Sequence, residues 1–293
     1  MVHRDRTSPR ALCVLLLLIG ASVVSSSLGH AASARSIARA GDGDGADDAR
    51  RSTAVNFNAF VPSKHGFRFV NSFKGSPIPG VVGLAASQLT GGSYGLCGGM
   101  SAAAADAFIA RQSIPTSTTP PASGTALYSY LLQRQTDSFL GMQLPARFAA
   151  WSGLSEFGPL GTRALTIDPA HQIAGRLRAG QPAVLGLVYA GPTNGRKIWD
   201  NHQVLGFALT SDQDPRSLRV RVYDPNYPGS DRVTIDAKHE VAGFAVSPMG
   251  LPIAVEGLTC QRSGSGRNPA STAPVRGYFL MPYTPAEPKG LDE

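Results

Sequence analysis

Hydrophobic residues recur with helical spacing between Cys97 and about Ala179, and with the spacing of strands from Ala183 onward. That switch predicts helices first and a sheet afterwards, an α+β order rather than an alternating α/β one. From Cys97 to Ile109 the larger residues Cys97, Met100, Ala104 and Phe108 lie 3, 4 and 4 apart, one face of a helix filled out by alanine. A second helix is predicted over Thr125 to Leu140, where Leu127, Tyr130, Leu131 and Arg134 share a face, and a short one around Phe148–Trp151. Asp168-Pro169 reads as an N-cap followed by Pro at the first helical position, with the helix running to Ala179 before Gly180 and Pro182.

The strands follow in series. Ala183–Tyr189 is a continuous apolar run bounded by turn residues, as a buried strand is. Further strands are predicted over His202–Leu209, Leu218–Tyr223, Arg232–Ile235 and Val275–Met281. In the second of these, Leu218, Val220 and Val222 alternate with Arg219, Arg221 and Tyr223, the pattern of a half-buried antiparallel strand. Leu258–Gly264, with Cys260 inside it, reads as loop.

The N-terminus stands apart from this fold. Arg4, Arg6 and Arg10 precede an apolar run from Ala11 to Ile19 and a small-residue stretch ending at Ala34, the pattern of a cleaved secretory signal over residues 1–34. The run is too short to span a membrane, and no later segment approaches that length, so membrane insertion is not expected. Residues 35–54, rich in Gly, Asp, Ala and Arg, read as a disordered linker or short pro-segment. One domain is expected over 55–285, with a tail over 286–293. The formal charge of +7 falls to +5 once Arg4, Arg6, Arg10 and Asp5 are removed. The basic residues are scattered and not interleaved with aromatics, so no nucleic-acid partner is expected.

The chemistry centres on Tyr94-Gly95-Leu96-Cys97-Gly98-Gly99-Met100, which sets a thiol at a helix N-terminus. The unpaired N–H groups and the dipole there favour a thiolate, and the same N–H groups can hold an oxyanion. The two glycines are expected to let a substrate backbone come close. A buried structural cysteine is the alternative. After signal removal only Cys97 and Cys260 remain, so a Cys97–Cys260 disulfide is a further alternative that would disable the thiol.

A thiol nucleophile needs a base and a group that orients the base. His202 opens Asn201-His202-Gln203-Val204-Leu205-Gly206-Phe207, and its face continues through Val204, Gly206 and Ala208, small enough to admit a helix end. His65, His171 and His239 are less suitably placed. The next strand ends in Tyr223-Asp224-Pro225-Asn226-Tyr227-Pro228-Gly229, bringing a carboxylate and a carboxamide to the same end of the sheet. Asp224 can fix the His202 tautomer. Simple turn chemistry, or a calcium loop of Asp224, Asn226 and Asp231, would also account for these residues.

In this order, GLCGGM at a helix start, NHQVLGF and VRVYDPNYPG resemble the papain-like cysteine peptidase superfamily, and most closely its C39-like branch. The resemblance spans most of Val55 to Pro285. It implies a papain-like fold, with the nucleophile at a helix N-terminus packed on a C-terminal antiparallel sheet. It implies Cys97 as nucleophile, His202 as general base and then acid, and Asp224 as orienter, with Asn226 as alternate third member. The implied activity is that of a secreted peptidase or amidase that cleaves peptide or isopeptide amides through an acyl-thioester, without metal or organic cofactor. Transglutaminase-like acyl transfer and a non-catalytic binding protein on the same scaffold remain open. Two positions depart from the papain pattern: Gly98 replaces an aromatic residue after the nucleophile, and Gly91 replaces an oxyanion-hole glutamine six positions before it. Gln88 is the substitute donor closest in type, with Asn71 and Ser93 as others.

Overall fold

A computed structural model describes residues 55–75, 92–139, 143–210, 216–264 and 271–292. The predicted signal peptide, the linker and Gln88 lie outside the described residues.

The chain enters through a 3-10 turn, Phe57–Ala59, and a single helical turn, α1 (Pro62–His65). Strands β1 (Phe73–Lys74) and β2 (Ser93–Tyr94) pair antiparallel and lead into α2 (Cys97–Ala110). Every residue of α2 from Cys97 to Ala107 is buried, which is why alanine rather than an amphipathic stripe fills it. α3 (Ala126–Asp137) begins where the Thr125 Oγ1 accepts the Tyr128 N–H. α4 (Gln143–Gly153), α5 (Thr162–Leu165) and α6 (Ile167–Arg178) follow.

Helix α6 does not start at the Asp168 N-cap that the sequence predicts. The chain turns directly out of α5, the Ala170 N–H already donates to Thr166 O, and Asp168 falls in the first turn. Gly180, at φ 68°, ends the helix as expected.

The second half is one seven-stranded sheet in the order β8-β7-β6-β5-β4-β3-β9. Its strands are β3 (Ala183–Val188), β4 (His202–Thr210), β5 (Ser217–Tyr223), β6 (Thr234–Val246), β7 (Pro252–Ser263), β8 (Thr272–Val275) and β9 (Gly277–Leu280). All their pairings are antiparallel, and the fold is α+β. The region read as loop around Cys260 is the second arm of a long β6–β7 hairpin, with Ala237 opposite Cys260. Its polar and glycine-containing sequence carries no period-2 signal, and the pairing with β6 makes it a strand.

Two cores lie on opposite faces of this sheet. On one, Met100, Ala103, Ala104 and Ala107 of α2 and Leu131 of α3 pack against Val184, Leu205 and Phe207. On the other, Ala170, Ile173 and Leu177 of α6 pack against Leu185, Leu187, Val204, Val220 and Val222. The first core extends past Pro285 to Leu291, so the segment read as a tail packs on the domain. No helix among the described residues is long and apolar enough to cross a membrane.

Candidate active site

His202 is the first residue of β4, and Asp224 follows the last residue of β5. The β4–β5 register, Leu205 opposite Tyr223, therefore sets Asp224 on the same face as Val204 and His202. His202 Nε2 lies 2.7 Å from Asp224 Oδ1. That oxygen also accepts the Asn226 N–H at 2.9 Å. The second carboxylate oxygen, Oδ2, accepts Arg262 Nη1–H at 3.3 Å. Burial alone would raise the Asp224 carboxyl, but the His202 charge and hydrogen bond, the Arg262 guanidinium and the Asn226 N–H hold it below the usual carboxylate range. With Nε2 directed at a carboxylate, Nε2 carries the proton of a neutral imidazole. His202 Nδ1 then presents its lone pair, and it is buried with no hydrogen-bond partner among the described residues.

Two contacts tie the entry of α2, where Cys97 sits, to these strands. On one side, the Leu96 N–H donates to Asn71 Oδ1 at 2.6 Å, and Asn71 Nδ2–H donates to Asn226 Oδ1 at 3.1 Å. The Asn71 N–H in turn donates to Pro225 O at 3.1 Å, so one buried asparagine stitches the entry of α2 to the Asp224 loop. On the other side, the Gln203 carboxamide lies against Gly98: a Cβ built on Gly98 would come within 2.0 Å of Gln203 Oε1.

Several expectations are corrected here. β4 is oriented oppositely to the expected facing. Gln203, Leu205 and Phe207 look toward α2, while His202 and Val204 belong to the α6 face, because His202 pairs with Leu187 and Val204 with Leu185. The two glycines after Cys97 make room for the protein itself, not for a substrate: Gly98 for Gln203, and Gly99 for the Leu131 carbonyl, 2.1 Å from a built Cβ. The Gly99 N–H is already used, donating to Gln135 Oε1 at 3.0 Å. Asn71 accepts the Leu96 N–H through Oδ1 and gives one Nδ2–H to Asn226, and Ser93 sits in β2 opposite Lys74.

The Cys97–Cys260 bridge does not form. Cys260 is free and buried on the α6 face, where burial pushes its thiol up to about 12. The calcium loop fails for Asp231, whose carboxylate accepts the Ser63 N–H and Oγ–H at 2.8 and 2.6 Å. No group of three or more His, Cys, Asp or Glu among the described residues is arranged to hold a metal ion.

Of the residues singled out in the sequence, hydrogen bonds join His202, Asp224 and Asn226, and the structure adds Asn71 as a tie and Arg262 as a partner of Asp224. Neither has a local signal. Asn71 reaches 155 positions along the chain to Asn226, and Arg262 reaches 38 positions back to Asp224. No protein-family model matches this chain, and no curated protein or solved structure is found to be similar to it.

Proposed function

We propose that this is a secreted papain-like cysteine peptidase or amidase that works without metal or cofactor. The observation that carries the reading is the His202–Asp224 pair, whose 2.7 Å contact at Nε2 leaves Nδ1 buried with no hydrogen-bond partner among the described residues. In the reaction, His202 Nδ1 takes the Cys97 thiol proton and the thiolate attacks the amide carbon. The C–N bond then breaks as the imidazolium gives that proton to the leaving amine. Water, deprotonated by His202, hydrolyses the acyl-thioester and returns the thiol. The α2 N-terminus supplies the partial positive charge that favours both thiolate and oxyanion. Asp224 holds the imidazole in one tautomer and stabilises its cation.

A second reading, a papain-like binding protein without turnover, is favoured by one observation. Cys97, His202 and Asp224 are only 0%, 3% and 1% exposed. Catalysis therefore requires entry of substrate to a covered site.

The deciding experiment is the pH-dependence of iodoacetamide labelling of the mature chain, after mild reduction, in wild type and His202→Ala. Labelling of Cys97 is expected to be fast well below about pH 8.5, the ordinary thiol range, and to lose that advantage in the variant. Cys260 is the internal control and should stay unlabelled in the native protein. Slow labelling that follows an ordinary thiol and ignores the substitution overturns the hydrolase reading in favour of the binding protein.

A further inference from the structure

Arg262 takes no part in the proton transfers proposed above, yet its charge lies against them. Its side chain projects from β7 and is 13% exposed. Nη1–H donates to Asp224 Oδ2 at 3.3 Å and Nη2–H to the Tyr227 hydroxyl at 3.1 Å. The guanidinium carbon sits 4.9 Å from the centre of the Tyr227 ring and 5.7 Å from that of Tyr189. Stacking between two rings fixes it in place and keeps water from screening it.

The charged and titratable groups facing this carboxylate come from several elements. They are His202 of β4, Arg262 of β7, Tyr227 of the loop after β5 and Tyr189 at the end of β3, with Arg196 against the Tyr189 ring at 5.3 Å. Cys97 at the head of α2 completes the proposed site. An arginine stays protonated at any working pH, so Asp224 and Arg262 together are electrically neutral. A lone buried carboxylate against the imidazole would favour the imidazolium and occupy Nδ1 with a proton. A compensated carboxylate holds the ring without that bias.

We propose that Arg262 is a positioning residue that neutralises Asp224, so that the carboxylate orients His202 through Nε2 without drawing a second proton onto Nδ1 as an uncompensated carboxylate would. Its catalytic meaning rests on the hydrolase reading, whereas the electrostatic effect can be measured without turnover.

The experiment is an NMR titration of the His202 ring in the mature chain carrying Cys97→Ala, which removes the thiol from the titration. The added substitution Arg262→Met is expected to raise the His202 midpoint by about one pH unit or more, a tenfold gain in proton affinity. Arg262→Lys, which restores the charge, should return the midpoint close to that of the parent. Arg262→Gln keeps a donor for Asp224 without the charge, so it guards against a folding defect in the methionine variant and should also raise the midpoint. A midpoint unmoved in the neutral variants overturns the proposal and leaves Arg262 as a purely structural clamp. The labelling experiment on Cys97 tests the hydrolase reading separately, so either idea can fail while the other stands.

Discussion

Asp224 illustrates how a single buried residue ties stability to pH. Its folded carboxyl titrates below the ordinary value of 3.8, despite burial, because His202, Arg262 and the Asn226 N–H favour the anion. The unfolded chain therefore binds this proton more readily, and the stabilisation is complete above the ordinary carboxylate range and lost as pH falls through the folded value. Urea unfolding from about pH 6 down to about pH 2 should show this loss in wild type and less of it in Asp224→Asn. Near neutral pH the variant should be less stable by about 3 kcal/mol or more, because Arg262 is left buried without its anion. A variant with wild-type stability and an unchanged acid limb would contradict the assignment. At this scale the sequence could set Asp224 at a strand end, where the structure also has it, but a one-residue alternation could not say which face of β4 the His202 ring joins. The pairing with Leu187 decided that.

Among the elements, α2 and α3 are joined to the C-terminal segment by one buried carboxylate. Asp106 of α2 accepts hydrogen bonds from the Tyr130 hydroxyl at 2.7 Å, Arg134 Nε at 2.8 Å, the Tyr283 hydroxyl at 2.9 Å and the Ala286 N–H at 3.0 Å. Arg134 also donates to Thr284 O at 2.8 Å, and its guanidinium carbon lies 5.7 Å from the Tyr283 ring centre. These contacts explain why an arginine continues the apolar face of α3 that Leu127, Tyr130 and Leu131 define. Removing the anion leaves two phenols without their acceptor and Arg134 with only the more exposed Asp137 as counter-ion, so Asp106→Ala should cost about 3–5 kcal/mol in chemical denaturation. It should also expose residues 282–292 to limited proteolysis. An unchanged denaturation midpoint and a protected C-terminus would sink this account. The helical spacing of Arg134 was visible in the sequence, whereas Asp106 sits in an alanine run with no local sign of its four partners.

At the scale of the molecule, the outer half of the β6–β7 hairpin presents an apolar surface to solvent. From Val241 to Val255 the sequence contains no charged residue, and Val241, Phe244, Val246, Met249, Leu251 and Ile253 are all more than half exposed. Such a surface promotes self-association and dye binding without supporting the core. The double substitution Phe244→Ser, Val246→Thr should lower 8-anilinonaphthalene-1-sulfonate fluorescence and delay aggregation on heating. It should change the unfolding free energy by about 0.5 kcal/mol or less. A large loss of stability would mean that the tip supports the fold.

Local pattern was enough to fix the order of helices before strands, the start of α2 at Cys97, the buried run of β3 and the alternation of β5. Each depends on residues a few positions apart and on backbone preferences that act at that range. The N-terminal boundary of α6, the strand that holds Cys260 and the facing of β4 depended on bonds to neighbours far along the chain. The same holds for the site: Cys97, His202 and Asp224 each carry a local mark, at a helix start, a strand start and a strand end. Only tertiary structure brought Asn71 against Leu96, Gln203 against Gly98 and Arg262 against Asp224, because those contacts are set by which strands pair and which faces meet, and no spacing along the sequence encodes them.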